Sequence, residues 1–378
     1  YMLYKLKDIF DLQMGKTPSR NNIEYWNTND YKWVSIADLT KTDKYIYDTK
    51  EYLSKKAVNE SGIKIIPANT VIMSFKLSIG KTAITAEDMY SNEAIMAFHD
   101  KHIVEILPEY IFYLFKYKNW DDGSNKAVMG KTLNKAILSE VEIDICSIEE
   151  QRKIVNVLDK IMNLISARNK ELSYLDTFTK ARFVEMFGDP VINSKNILVV
   201  TLGELSELIT KGASPCWQGF SYTDDSSQTL FITSENIREG YIDLSSPKYI
   251  EDGFNEKQRR SVIRKGDFLI NIVGASIGRA AQFNLDCKAN MNQAAALVRV
   301  KDNRIKNKYL LIYLNSDRAK RMYDSMKSDT GRANLSLQDI SDLNILLPAV
   351  DKQIEFENFV AQVDKSKSAV KKALDETQ

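Results

Sequence analysis

The stretch from Ile148 to Phe187 constrains this chain more than any other, because it runs 40 residues without a proline or a glycine. Apolar side chains recur within it at Ile154, Leu158, Ile161, Ile165, Leu172 and Leu175, in steps of four, three, four, seven and three. That is heptad spacing, with Arg168 in the one missing place, and it predicts a long helix carrying a narrow apolar seam. Gly188, Asp189 and Pro190 then end it, since glycine closes helices well and proline cannot continue them. A straight helix of this length spans about 60 Å, far beyond the usual helix of about 11–12 residues. The seam therefore calls for a partner helix.

A repeat supplies one. LNKAILSEVEIDICSIEEQRKI begins at Leu133, and LSLQDISDLNILLPAVDKQIEF begins 202 positions later at Leu335. Val141 meets Leu343, Ile143 meets Ile345 and Gln151 meets Gln353, and the register runs on into the helix. Upstream the offset drifts by a few residues. Pro67–Ala83 and Lys265–Ala281 each read as an apolar strand, then S-I-G and a cation. The Trp33–Leu39 segment pairs with Phe231–Ile237, and the openings YKLKDIFDLQMGKTPS and VTLGELSELITKGASP also match. The expected organisation is a module over 1–147, a long helix over 148–188, a second module over 189–348 and a second helix over 349–378. The second helix carries Phe356, Val360, Val363, Val370 and Leu374 at heptad spacing, broken by Lys367. The expected fold class is α+β: two similar, strand-rich modules separated by two long antiparallel helices. The aromatic patches near 109–117 and 308–316 read as core helices.

Charge and cysteine usage exclude several classes. With 52 basic and 51 acidic residues the formal net charge is +1, so a nucleic-acid surface has to be local. Cys146, Cys216 and Cys287 lack paired spacing and read as reduced packing residues of a cytoplasmic protein. No apolar run approaches a membrane span. Tyr1 ahead of Met2 reads as a cloning or processing remnant.

Catalytic signatures do not assemble. Gly15, Gly80 and Gly130 each begin a Gly-Lys-Thr triplet. A phosphate-binding loop needs another glycine five residues earlier, where Phe10, Phe75 and Asn125 stand. His99 and His102 read as a solvated loop pair without further ligands for a metal. No G-x-S-x-G elbow occurs. Adenine methylation calls for an Asn-Pro-Pro-aromatic or Asp-Pro-Pro-aromatic loop, and none of the seven prolines is adjacent to another. The chain reads as non-catalytic.

Paired modules on long helices can instead read two objects at a fixed separation, and DNA grooves present such objects. In the first module Lys16, Thr17, Ser19, Arg20, Lys76, Ser78, Lys81, Lys126 and Lys131 are the candidate contacts. In the second they are Lys211, Ser214, Ser276, Arg279, Asn292, Gln293, Arg332 and Asn334. Cations there can neutralise phosphates, while Asn, Gln, Ser and Arg can read base edges.

These features together resemble the specificity subunits of type I restriction–modification systems. The G-x-x-P-S-R opening, the aromatic-Val-Ser-Ile-x-Asp-Leu segment, the S-I-G turn before Lys or Arg, the EEQRKI and DKQIEF helix starts and the phrase FVEMFGDP carry the likeness, which covers essentially the whole chain. The resemblance implies two target recognition domains, each reading half of a bipartite DNA target. It implies a helical spacer that also docks two methyltransferase subunits, with motor–nuclease subunits joining the complex. S-adenosylmethionine, ATP and Mg2+ are then expected in those partners, and no cofactor or metal in this chain. Cys146 departs from the family pattern, standing where proline is usual and where Pro348 stands in the second half. The second helix is also short, as in a truncated chain or one with a short distal arm. A protein-binding coiled-coil scaffold and a stand-alone DNA enzyme are the competing readings.

Overall fold

The computed structural model describes residues 2–26, 28–76, 78–120, 133–189, 192–326 and 334–377. The chain divides into two compact units, residues 1–166 and 167–378.

In the first unit the apolar runs form one main sheet. Phe10–Met14 lies antiparallel to Ile95–Asp100, with Leu12 opposite Phe98. Ile95–Asp100 pairs in turn with Val71–Ser74, which pairs with Thr82–Thr85; Tyr45–Ile46 closes the edge in parallel. A smaller sheet places Tyr31–Val34 between Glu51–Leu53 and Tyr90–Ser91. Val71–Ser74 and Thr82–Thr85 are buried at every residue, as expected for strands covered on both faces. The helix Pro108–Tyr117 packs Tyr110, Ile111, Phe112, Tyr113 and Phe115 into the core.

The second unit repeats this plan. Ser206–Lys211, Ala295–Val300, Phe268–Asn271 and Ala280–Gln282 form its main sheet. Thr229–Ile232 lies between Tyr249–Ile250 and Ala289–Met291. The helix Asn307–Leu314 matches Pro108–Tyr117. One offset drift has a local cause. The second unit's opening strand has a register break between Ser206 and Leu208. This β-bulge inserts one residue, so Leu6 matches Leu202 at 196 while Gly15 matches Gly212 at 197.

Short side-chain-capped helices stand at several places in the chain. After Leu133 the chain forms Lys135–Glu140, N-capped by the Asn134 side chain, before the strand Glu142–Ile145. Its counterpart Leu337–Ser341 is capped by Ser336. Likewise Ser35 and Asp38 make a capping box that opens the helix Ile36–Lys41. Side-chain caps of this kind satisfy backbone N–H groups that a strand would need a neighbour to satisfy.

The long helices are Ile148–Phe187 and Val350–Asp375. Their starts belong to the unit cores, a role that heptad spacing alone does not reveal. Ile154 and Leu158 pack against the first unit's core, and Phe356 and Val360 lie inside the second unit's. Ile161, Ile165, Leu172 and Leu175 are half-buried. In the second unit Phe183 and Phe187 meet Phe356 with ring centroids 5.5 and 5.4 Å away. Arg182 pairs with Glu355 at 3.0 Å and Lys367 with Asp176 at 2.6 Å, so the two helix segments run antiparallel there. Val363 and Val370 are buried and Leu374 half-buried. The polar breaks in the seam are paired: Lys367 to Asp176, and Arg168 to Glu171 of its own helix at 2.8 Å.

A buried glutamine joins each helix to its unit. Gln151 is 0 % exposed; its Oε1 accepts from Leu107 N at 2.9 Å, and its Nε2 donates to the Glu105 and Cys146 carbonyls at 3.0 and 2.9 Å. Gln353, also 0 % exposed, accepts from Lys306 N at 2.8 Å and donates to the Arg304 and Pro348 carbonyls at 2.8 and 2.7 Å. An amide side chain can accept and donate at once, so one residue satisfies three backbone groups. Cys146 stands where Pro348 stands in the second unit, and the joint is the same in both because the contact uses only the carbonyl. The cysteines differ among themselves: Cys146 is buried, whereas Cys216 and Cys287 are exposed rather than packed.

Candidate nucleic-acid interface

In each unit the polar loops gather around one turn. In the first, that turn is Asn92–Ala94, closed by Asn92 Oδ1 accepting from Ala94 N at 3.0 Å. Gly15 N donates to Ile95 O at 3.1 Å, Lys16 N to Ser91 O at 2.8 Å, Asn92 N to Val34 O at 3.1 Å and Phe75 N to Ala94 O at 3.0 Å. A Cβ at Gly15 would overlap the Asn92 carbonyl oxygen, so only glycine lets the loop approach this closely. The second unit uses Asn292–Ala294 in the same way, with Asn292 Oδ1 accepting from Ala294 N at 3.1 Å. Asn292 N donates to Ile232 O and Ile272 N to Ala294 O, both at 3.0 Å, and a Cβ at Gly212 would overlap the Met291 and Asn292 carbonyls. The S-I-G turns also match. Gly80 and Gly278 have φ of 86° and 85°, and their N–H groups bond to Ser74 O and Asn271 O at 3.0 and 2.9 Å.

Most predicted residues therefore stand on matched rims. In the first unit Lys16 Nζ donates to Ser61 O at 2.6 Å, Thr17 bonds to Glu93, and the Ser19 carbonyl accepts from Trp26 Nε1 at 3.0 Å. Arg20 is a clamp: it pairs with both Glu51 carboxylate oxygens, one at 3.0 Å, and lies 3.8 Å over the Trp26 ring. Lys76 lies 5.2 Å from the Phe75 ring centroid, while Ser78 and Lys81 are exposed. Burial works to raise the Glu93 carboxyl, but the Thr17 bond, with Lys76 and Arg20 nearby, holds it below the usual range. In the second unit Lys211 and Gln293 are exposed. Ser214 precedes a short helix without a side-chain cap bond, and Ser276 Oγ accepts from Asn271 Nδ2 at 3.1 Å. Arg279 follows the Gly278 turn, and Asn334 bridges to Val273. Asn292 builds the central turn. Lys126, Lys131 and Arg332 lie outside the described residues.

Sequence reasoning missed Trp217, Glu51 and Glu93. The offset of the opening loop could have found the first, since it sets Trp217 opposite Arg20. Among the described residues no group of His, Cys, Asp and Glu is placed to hold a metal, and no helix is long and apolar enough to cross a membrane. His99 lies within the strand Ile95–Asp100 rather than in a loop; His102 is exposed beside Asp100.

A duplicated α+β module, each copy ending in a long helix and bearing a polar rim, defines a class of two-unit proteins built on an internal repeat. The chain belongs to the family of the type I restriction modification DNA specificity domain, which matches residues 1–174 and 195–377. It is 32% identical over 213 residues to the type I restriction enzyme MjaIX specificity subunit of Methanocaldococcus jannaschii, across 55% of this chain and 48% of that one. It is 27% identical over 159 residues to the EcoR124I/EcoR124II specificity subunit of Escherichia coli, across 40% and 39%. The matched chain thus spans about half the length, or less, of these relatives. In fold it resembles a chain from a structural study of assembly and conformational transition in the type I R-M system. That likeness has a TM-score of 0.61 at 18% identity, covering 100% of this chain and 93% of that one. It also resembles the S subunit from M. genitalium, with a TM-score of 0.51 at 13% identity, covering 100% and 92%.

Proposed function

We propose that this chain is the non-catalytic DNA-recognition subunit of a type I restriction–modification complex. Each unit reads one half of a bipartite target, the long helices set the spacer, and two methyltransferase subunits dock on the chain. Restriction subunits join the same assembly in the cytoplasm. Adenine methylation and cleavage, with S-adenosylmethionine, ATP and Mg2+, belong to the partners. The observation that carries this reading is the matched pair of rims: two glycine-tightened loop clusters on equivalent scaffolds, bearing different side chains. Shared scaffolds with unlike rims suit two half-sites of unlike sequence.

The test is to express the chain with a methyltransferase subunit and map methylated adenines across the host genome. A single split motif is expected, and exchanging residues 1–147 for another family member's module should change only one half of it. A motif altered in both halves would sink the two-reader model. No methylation and no DNA affinity in the complex would instead favour a protein-binding scaffold.

A further inference from the structure

Trp217 is the residue the matched rims leave unexplained. It is 90% exposed, whereas Trp33 is 2% exposed. The other three indoles donate within the chain: Trp26 to Ser19 O at 3.0 Å, Trp33 to Lys16 O at 3.1 Å and Trp120 to Phe115 O at 2.8 Å. Among the described residues Trp217 has no such partner.

Its loop is nevertheless built. Pro215 is buried, and Gly219 closes the turn at φ 82°. Gly212 is wedged against Met291 and Asn292. Lys257 Nζ donates to Gln218 O at 2.9 Å, and Phe220 packs edge-on to Phe254 at 5.6 Å. A large flat side chain is thus held out into solvent on a fixed support, which removes the backbone part of the ordering cost of binding.

The surroundings select a polyanion. Lys257 is tied to this loop, and Arg259 and Arg260 follow in a turn that packs beside the strand ending at Lys211. Among the described residues none of these four cations pairs with a carboxylate, unlike Arg20 with Glu51 in the first unit. The acidic Glu93 of the first rim is matched by neutral Gln293. An aromatic face amid uncompensated cations fits stacked bases flanked by phosphates.

We propose that Trp217 is a base-stacking wedge of the second unit. Its indole packs against a base step in that unit's half-site, while Lys211, Lys257, Arg259 and Arg260 neutralise the adjoining phosphates. The proposal rests on the reading of the second unit as a DNA reader and names a contact that favours easily unstacked base steps in its half-site.

The test uses the full chain in complex with its methyltransferase partner and a random-sequence duplex DNA library. Binding selections would compare the unsubstituted chain with Trp217→Ala, Trp217→Phe and Lys211→Ala. Trp217→Ala should lose about tenfold or more in affinity and relax one half of the selected motif, with an unchanged thermal midpoint. Trp217→Phe should keep most of both. Lys211→Ala should lower the salt slope by about one, without changing the motif. If Trp217→Ala keeps the affinity and motif of the unsubstituted chain, the wedge is refuted while the two-reader function stands. If Trp217→Ala instead abolishes methyltransferase association, the residue is a protein contact and the proposal falls. If the unsubstituted complex selects no motif, the proposed function itself fails, and the wedge with it.

Discussion

The two opening loops occupy the same place on the same scaffold and solve opposite problems. In the first unit Arg20 is stacked on Trp26 and clamped by Glu51, and Thr17 is bonded to Glu93. In the second, Trp217 stands exposed, Lys211 has no acidic partner among the described residues, and Gln293 replaces the acid. Among the described residues, Arg20 of the first rim is neutralised, while Lys16, Lys76 and Lys81 pair with no carboxylate; in the second, Lys211 and the indole are both without a partner. Duplication preserved what the backbone needs, namely the glycines, the turn asparagines and the buried glutamines, and left the rim free to diverge.

The sharpest way to break the comparison is at the helix roots, where the units are unequal. Phe356→Ala removes a ring that meets both Phe183 and Phe187, and should destabilise the second unit by about 3–5 kcal/mol. Ile154→Ala, at the matched position, removes a half-buried side chain and should cost about 1–2 kcal/mol. Urea unfolding followed by probes in each unit separates them, and equal losses would deny the difference in burial.

The glutamine joints should behave alike. Gln151→Leu and Gln353→Leu each strand one backbone N–H and two carbonyls, and each should cost about 3 kcal/mol in its own unit. Hydrogen exchange at Leu107 and Lys306 would report the loss, and protection retained in either variant would show that water replaces the joint.

Gly15→Ala and Gly212→Ala should each cost about 1–3 kcal/mol through overlap with the facing carbonyls, and should loosen the rim that they tighten. Thermal melts check this, and a neutral effect in one unit would end the claim of equivalence there.

The smallest effect belongs to the rim itself. Arg20→Ala should cost about 1 kcal/mol, since its ion pair is exposed and only the stacking adds to it. Trp217→Ala should leave stability unchanged. A destabilised Trp217 variant, seen by calorimetry, would mean that the indole packs after all.

Much of this architecture was legible in the residues. The interval between proline and glycine gave the long helix, and the offsets gave the paired sheets and the S-I-G turns. Three things were not legible. Ile154 and Leu158 fit a heptad, but burial against a sheet core leaves the same period. The short helices opened by Asn134 and Ser336 were not expected either, because a single side chain bonding to the N–H three residues on decides that choice. The Arg20 clamp depends on Glu51, 31 residues away on a strand of the smaller sheet, and no local pattern links them. How the loops are neutralised is a tertiary property, so a list of polar loop residues could not separate the clamped from the free.

The buried glutamines carry one more consequence, for how such a chain can change its length. Gln151 fixes the rotational phase of its helix where it leaves the first unit. Every residue added beyond that point advances the helix by about 1.5 Å and turns it by about 100°. Length and heading are therefore geared together. Five added residues would leave the seam facing about 140° away, whereas seven fall about 20° short of two full turns and add about 10 Å. A helix rooted in this way cannot slide: it steps, and the lengths open to it form a discrete set.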